Sequence, residues 1–138
     1  DYKYDGPDLA KQLSHAEDYP QAARAAIREM VRQVGPPVYG EDGLMKRGVL
    51  IRHLILPGHT RNSIACLGRI REEFPGIPVS LMAQYTPCGD LSPFPELQRA
   101  ITRREQEKVE DALFALGLEG FTQERAARGK QFIPDWNL

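Results

Sequence analysis

The sequence predicts an α/β fold in which strands and helices alternate and the strands form a parallel sheet. The run Val49 to Leu56 is almost uniformly apolar, with leucine and β-branched residues, as in a strand covered on both faces. Thr60 to Phe74 then has apolar residues at helical spacing, and Val79 to Gln84 is again a strand pattern. Such an alternation is typical of a parallel sheet with right-handed crossovers.

The segments before Val49 have patterns of their own. Ala23, Ile27, Met30 and Val34 recur on one helical face, and Gly35-Pro36 ends that helix, which begins at about Asp18. Three shorter elements are also predicted: a strand over Asp1 to Tyr4, a helical turn over Asp8 to Leu13 and a small hairpin or flap over Pro36 to Arg47.

The last third of the chain begins with a loop that contains several prolines and is long for a compact domain. Thr102 and Glu105 form a capping box that opens a helix, with Val109 and Leu113 facing inward. One more short strand is predicted over Phe121 to Gln123, and the residues after it show no clear hydrophobic periodicity. We therefore divide the chain into βα units over residues 1–124 and a C-terminal tail over residues 125–138.

Two architectures fit this order of elements: a small doubly wound sheet, or consecutive units of a larger βα barrel. In both, ligands bind beyond the C-terminal ends of the strands. The segments that reach this edge are Lys3 to Asp5, Leu56 to Thr60 and Gln84 to Asp90.

Composition and charge exclude several classes of protein. Eighteen basic and 19 acidic residues give a net charge of -1, which disfavours nucleic acid as the main partner. Arg52 and His53 interrupt the longest apolar stretch, so no segment is apolar enough to cross a membrane. Cys66 and Cys88 lack the spacing of a metal knuckle or redox pair, which fits a reducing compartment. We expect a cytoplasmic protein.

The opening strand places two charged candidates on one side. Asp1 and Lys3 alternate with Tyr2, so both side chains point in the same direction. A carboxylate and an ammonium there need each other or a polar ligand if they are buried. A frayed terminal strand with two exposed charges explains the pattern equally well.

Arg52 and His53 lie in the middle of the central strand and face opposite sides. In a strand covered on both faces, a charged group needs a partner, so one of the two is expected to meet a polar cavity or an anion. An arginine paired with a nearby carboxylate is an alternative of at least equal weight. For His53, a hydrogen-bonded core histidine is favoured over a catalytic one.

Gln84 and Tyr85 end the next strand with hydrogen-bonding groups and a ring. A tyrosine packed under the proline-containing loop is the slightly favoured alternative. The turn Pro57 to Thr60 places a glycine and a helix start directly after a strand, a geometry that can bind an anion. His15 and His59 have no metal-ligand spacing, so no zinc site is expected.

Several segments together resemble one known group of enzymes. They are Asp1-Tyr2-Lys3-Tyr4, Ser14-His15-Ala16-Glu17-Asp18-Tyr19-Pro20, Glu29-Met30, Gly48 to Gly58 (GVLIRHLILPG) and Ser80 to Tyr85 (SLMAQY). These motifs resemble radical S-adenosylmethionine proteins of the pyruvate formate-lyase-activating-enzyme-like group, over Asp1 to about Gln123.

The resemblance implies a partial (βα)6 TIM-like barrel, of which this chain is similar to the C-terminal half. Members of the group carry a CxxxCxxC motif after the first strand, where three thiolates hold a [4Fe-4S] cluster that binds S-adenosylmethionine. This chain lacks that motif. We therefore expect the 138 residues, which begin with Asp1, to be part of a longer protein.

Carried over to this chain, the resemblance implies that Asp1 and Lys3 help to hold S-adenosylmethionine, as the group's Asp-x-Lys does. Arg52 matches the strand arginine that precedes Pro-Gly. Gln84 and Tyr85 stand where related activating enzymes have a Tyr-His pair. This chain lacks that histidine, so the contact that the histidine makes in those enzymes has no counterpart here.

The expected function is that of the C-terminal part of a radical S-adenosylmethionine enzyme. Its parent forms a 5′-deoxyadenosyl radical that abstracts hydrogen from a substrate that the sequence does not identify. The expected partners are S-adenosylmethionine and, as one candidate substrate, a protein. This chain alone is expected to be inactive. An exposed sheet edge at Asp1 would allow copies of the chain to associate. The alternative is a complete, small, doubly wound binding or interaction module without catalysis.

Overall fold

The computed structural model describes residues 1–122, in which helices pack against one face of a three-stranded parallel sheet. A separate two-stranded antiparallel hairpin precedes that sheet. The elements are α1 (Pro7–Ser14), α2 (Tyr19–Val34), β1 (Val38–Tyr39), β2 (Met45–Arg47), β3 (Ile51–Leu54), α3 (Thr60–Glu73), β4 (Val79–Met82), a 3-10 helix (Pro95–Gln98), α4 (Arg103–Ala115) and β5 (Gly120–Thr122).

The helix boundaries follow from local chemistry. The predicted capping box of α4 is confirmed: Thr102 Oγ1 accepts the Glu105 amide at 3.1 Å, and Glu105 Oε2 accepts the Thr102 amide at 2.8 Å. Prolines stand in the first turns of α1 and α2, where no amide hydrogen is needed. Gly35, with a φ of 72°, ends α2 as its position after Val34 predicts.

The strands β3, β4 and β5 lie side by side in that order, and both pairings are parallel. Arg52 is in register with Ser80, which is in register with Phe121. A Cβ at Gly120 would lie only 2.6 Å from Leu113 Cδ2, so the glycine lets α4 pack closely on β5. The predicted parallel α/β arrangement is confirmed at this level, but three strands do not form a barrel.

One face of the sheet carries the core. Ile51, Val79 and Leu81 point to it, and residues of three helices pack there. The helical contributors are Ile27 of α2, Cys66, Leu67 and Ile70 of α3, and Val109 and Leu113 of α4. Burying each large apolar side chain stabilises the fold by roughly 1.5–3 kcal/mol. Met30 is an exception to the predicted face of α2, because it is exposed while Val31 packs against the core.

The opposite face of the sheet is open in the part of the chain that the structure describes. We call the alternating positions Leu50, Arg52, Leu54, Ser80, Met82 and Phe121 the open face. Leu50 is 42% exposed and Phe121 is 53% exposed. The expectation of a central strand covered on both faces is therefore wrong for these described residues, because all the helices that pack on β3 and β4 come from one side.

The boundaries of other elements also differ from the expectation. Asp1 to Tyr4 lies beside β3, where Tyr2 N donates to Arg52 O at 2.9 Å, but it is not a strand of the described sheet. The strand predicted over Val79 to Gln84 ends at Met82. Gln123, the last residue of the predicted final strand, and the tail over 125–138 lie outside the described residues.

No helix within residues 1–122 is long and apolar enough to span a membrane.

The one-sided core predicts a clear difference between two leucines. Leu67→Ala removes a fully buried side chain and should lower the free energy of unfolding by about 2–5 kcal/mol. Leu44→Ala, at a position that is 48% exposed in the hairpin, should change it by less than about 0.5 kcal/mol. Urea unfolding followed by circular dichroism measures both values. Equal losses in the two variants would contradict this description of the core.

Candidate functional site

The N-terminal segment, residues 1–5, carries two predicted site residues and is attached to the rest of the fold by its backbone. Tyr19 Oη donates to the carbonyl oxygen of Asp1 at 2.8 Å and accepts from the Lys3 amide at 3.2 Å. The Asn62 side chain donates to the Lys3 carbonyl at 2.9 Å and accepts from the Asp5 amide at 3.1 Å. One side chain from α2 and one from α3 therefore hold this segment in place.

Asp1 and Arg52 form a two-point ion pair beside the open face. Arg52 Nε donates to Asp1 Oδ1 at 2.7 Å, and Nη2 donates to Oδ2 at 3.2 Å. Both side chains remain partly accessible to solvent, and an ion pair of this kind adds only about 0–1 kcal/mol to stability. The structure thus brings two of the predicted site residues together, in the arrangement of an arginine paired with a carboxylate that the sequence left as an alternative.

Lys3 lies on the same exposed side of the segment as Asp1. Tyr2 and Tyr4 are buried, whereas Asp1 and Lys3 are exposed, so the predicted alternation of side chains is present. The backbone on either side of Lys3 is held by Tyr19 and Asn62 while its ammonium group extends to solvent. A carboxylate and two cations therefore border one edge of the sheet.

His53 is a buried bridge between the N-terminal segment and α3. Its Nδ1 lies 2.7 Å from the Tyr2 carbonyl oxygen and must carry the hydrogen, because a carbonyl only accepts. Its Nε2 then accepts a hydrogen bond from Ser63 Oγ at 2.8 Å. Burial lowers the pKa of His53, so the ring is neutral near pH 7. The favoured interpretation as a hydrogen-bonded core histidine is confirmed.

Gln84 and Tyr85 follow β4 but do not have the same surroundings. Tyr85 Oη donates to the Leu97 carbonyl at 2.7 Å, so the ring is half-buried under the loop that contains the 3-10 helix. Burial raises the pKa of Tyr85. Gln84 is exposed, and it lies four residues beyond Ser80, or about 13 Å along an extended chain. The packed tyrosine is thus the alternative that the geometry matches.

The turn between β3 and α3 is already occupied by protein partners. The Gly58 amide donates to Glu105 Oε1 at 2.9 Å, and His59 Nε2 lies 2.8 Å from Glu96 Oε1. A Cβ at Gly58, where φ is 77°, would lie 2.9 Å from the Glu96 Cβ. This turn therefore ties α3 to the 3-10 helix and α4, and its first amide is not available to an anion.

The described residues do not provide a metal or cluster site. Within residues 1–122, no group of three or more His, Cys, Asp and Glu side chains is placed to hold a metal ion. Cys66 is buried, and burial raises the pKa of its thiol, which opposes the thiolate form that binds iron. Cys88 is exposed in the loop after β4. These residues do not fit a [4Fe-4S] cluster.

Sequence reasoning missed a polar cluster beneath the N-terminal segment. Tyr2 Oη donates to Asp5 Oδ1 at 2.7 Å and accepts from Arg24 Nη1 at 3.2 Å. Arg69 Nε donates to the same Asp5 oxygen at 3.2 Å. These residues come from three separate parts of the chain, and no local pattern marks them or Asn62 as neighbours.

A groove with a volume of about 520 Å³ lies between α1 and the start of α3. Its lining includes Asp8 and Gln12 from α1, Arg61 from α3 and Lys108 from α4. The groove carries charges of both signs, and its lining also includes Gly58 and His59 of the turn before α3. The Asp1 and Arg52 pair is not among the residues that line it.

The chain was compared with known protein families, with curated proteins and with solved structures, and none of them matches it.

The neutral, buried state of His53 predicts a pH dependence of stability. Because its pKa is lower in the folded protein than its value of about 6.5 in the unfolded chain, the unfolded state binds more protons at acidic pH. The contribution of the neutral His53 ring to the free energy of unfolding is complete above about pH 7. It is lost as the pH falls below 6.5, by at most about 1.4 kcal/mol per pH unit.

His53→Gln should remove this slope of the free energy of unfolding against pH between pH 7 and 5.5, as measured by urea unfolding at each pH. His15→Asn is the matched control: His15 is exposed at the end of α1 with a φ of 51°, a conformation that asparagine tolerates, and the slope should persist. An unchanged slope in His53→Gln would show that another group titrates.

Proposed function

We propose that this chain is the C-terminal part of a radical S-adenosylmethionine iron-sulfur enzyme similar to the pyruvate formate-lyase-activating-enzyme-like group. The single observation that carries the proposal is a parallel sheet whose second face is open and bordered by Asp1, Lys3 and Arg52. The sequence motifs that resemble the group include all three of these residues.

The open face supports a barrel origin. Parallel sheets occur almost only with both faces covered, either by helices or by the other strands of a closed barrel. Here α2, α3 and α4 contribute to the core on one side, and Leu50 and Phe121 are exposed on the other. Strands from a preceding barrel half would cover these side chains, so the face is interpreted as the lumen side.

The charged edge has the chemistry to bind S-adenosylmethionine. The carboxylate of that cofactor calls for a cation, which Arg52 or Lys3 supplies, and its ammonium or ribose hydroxyls call for an acceptor such as Asp1. Before a ligand arrives, the Asp1 and Arg52 pair keeps both groups oriented by two hydrogen bonds. In this proposal Gln84 adds a hydrogen-bonding amide, and Tyr85 contributes its ring while its hydroxyl stays bonded to Leu97.

The iron-sulfur cluster belongs to the preceding half of the parent protein in this proposal, since the described residues do not fit it. The cluster and S-adenosylmethionine together supply the radical chemistry of such an enzyme. The residues of this chain bind and orient the cofactor and close one side of the cavity. The partners are then S-adenosylmethionine and a substrate, which is a protein if the parent acts as an activating enzyme, and the compartment is the cytoplasm.

The alternative function, a small ligand-binding module without catalysis, has one observation in its favour. The groove between α1 and α3 is large enough for a small polar ligand. A doubly wound module, however, has helices on both faces of its sheet, whereas the helices that form the core of residues 1–122 lie on one face. This difference favours the half-barrel proposal.

The coding sequence upstream of Asp1 separates these two functions. If the chain is half of a radical S-adenosylmethionine barrel, translation of that sequence should show a CxxxCxxC motif preceded by a strand pattern. Sequencing the gene is sufficient to check this. A start codon immediately before Asp1 would overturn the half-barrel proposal.

A second test uses the 138-residue chain itself. Anaerobic treatment with iron and sulfide should give no cluster absorbance, and addition of S-adenosylmethionine and a reductant should give no 5′-deoxyadenosine, because the described residues include no cluster site. Visible absorbance and chromatography of the products measure the two outcomes. Reductive cleavage at the rates of an enzyme would show that the chain is not a half-site.

In the full-length parent, Arg52→Gln and Asp1→Asn should each weaken S-adenosylmethionine binding by about tenfold or more, since a hydrogen bond to a charged group contributes about 1.5–3 kcal/mol. Equilibrium dialysis with labelled cofactor measures this change. Arg103→Gln, on the exposed surface of α4, is the control and should bind normally. If all three variants bind like the wild type, the charged edge is not the cofactor site.

A further inference from the structure

The groove between α1 and the start of α3 brings together side chains from three helices around a volume of about 520 Å³. Small-molecule sites usually have volumes of about 300–1,000 Å³. Because α3 and α4 pack against each other, Arg61 and Lys108 contribute to one wall of the groove. Asp8 and Gln12 lie one helical turn apart on the same side of α1 and contribute to the opposite wall.

The two cations of the groove have no protein partner within residues 1–122. Most arginines in this part of the chain form an ion pair, as Arg69 does with Asp5, or donate to a backbone carbonyl. Arg61 and Lys108 do neither. Arg61 also lies in the first turn of α3, where the helix dipole disfavours a positive charge. Its position does not stabilise the helix, but it is favourable once an anion lies in the groove.

The one carboxylate in the lining of the groove is also available. Asp8 lies in the first turn of α1, where it favours that helix, and its side chain bonds to no other residue of 1–122. The two carboxylates that contact the turn before α3 are already bonded. Glu96 lies 2.8 Å from His59 Nε2, and Glu105 accepts two hydrogen bonds from Arg99. A donor that enters the groove therefore meets Asp8.

We propose that this groove binds a small zwitterion, such as an amino acid or a short peptide with free termini. Its carboxylate accepts hydrogen bonds from Arg61 and Lys108, and its ammonium group donates to Asp8 on the opposite wall. A simple anion would leave Asp8 without a partner and would be repelled by its charge, so a ligand with both charges is favoured. The inference holds whether or not the chain is half of a barrel, because the open face does not line the groove.

Amide NMR of the isotope-labelled 138-residue chain tests the proposal. The probes are glycine, glycylglycine and triglycine, in which each added residue separates the charged ends by up to about 3.5 Å more. At least one probe should shift the amide signals of residues 8–12, 60–62 and 108 in a saturable way, with a dissociation constant of about 1 mM or below. If none of the three probes does so, the proposal is wrong.

Substitutions on both walls locate the charged ends of the probe that binds best. Arg61→Gln, Lys108→Gln and Asp8→Asn should each raise its dissociation constant at least about threefold, since each removes one exposed charge pair. Arg104→Gln is the matched control: it removes the same charge from an exposed arginine of α4 that does not line the groove, and binding should stay unchanged.

The amide spectrum shows whether each variant is folded, and Lys108→Gln decides the question of the basic wall if Arg61→Gln does not fold. Equal weakening by Arg104→Gln and the variants of the basic wall would mean that only the net charge matters, which overturns the proposal.

Blocked forms of the same probe test each end of the zwitterion. The N-acetyl form and the C-terminal amide should each bind at least about threefold more weakly than the free probe, because each lacks one charge. Undiminished binding of the N-acetyl form would show that the groove recognises an anion alone. Undiminished binding of the amide would show that the carboxylate is not recognised. Either result overturns the assignment of a zwitterion.

Discussion

The structure depends on the packing of a single helical layer against one face of β3 and β4. Successive residues of β3 lie on opposite faces of the sheet: Ile51 and His53 are buried under the helices, and Arg52 points to the open face. Because a strand places successive side chains on opposite sides, one-sided coverage determines which residues form the core and which remain available to a ligand or partner. The helical layer thus stabilises the fold and also leaves the charged edge accessible.

The same layer positions the N-terminal segment. His53 and Asn62 project from β3 and α3 and hold the backbone of residues 1–5 through hydrogen bonds to Tyr2, Lys3 and Asp5. These contacts are with the main chain, so they orient Asp1 and Lys3 without using their side chains. At this edge the side chains of Asp1 and Arg52 are paired by two hydrogen bonds, and Lys3 is exposed beside them.

Much of the fold could be predicted because the signals are local. The capping box of Thr102 and Glu105, the apolar spacing of α3 and the glycine after α2 each depend on residues within a few positions of one another. The site was less predictable. The sequence indicated that Asp1, Lys3 and Arg52 matter, but the pairing of Asp1 with Arg52 joins positions 51 residues apart. The Tyr85 hydroxyl bonds to Leu97 through a loop whose path no short pattern encodes.

By itself, then, the sequence determined the α/β class, the parallel order of elements and the opposite orientations of Arg52 and His53, because these follow from periodicity and from the geometry of a strand. The tertiary structure alone decided that the helices pack on one face, that His53 is a neutral bridge and that Arg52 meets Asp1. The apolar run from Val49 to Leu56 is compatible with a strand covered on one side or on two. Only the three-dimensional placement of α2, α3 and α4 distinguishes these cases, because burial is a property of neighbours that are distant in the chain.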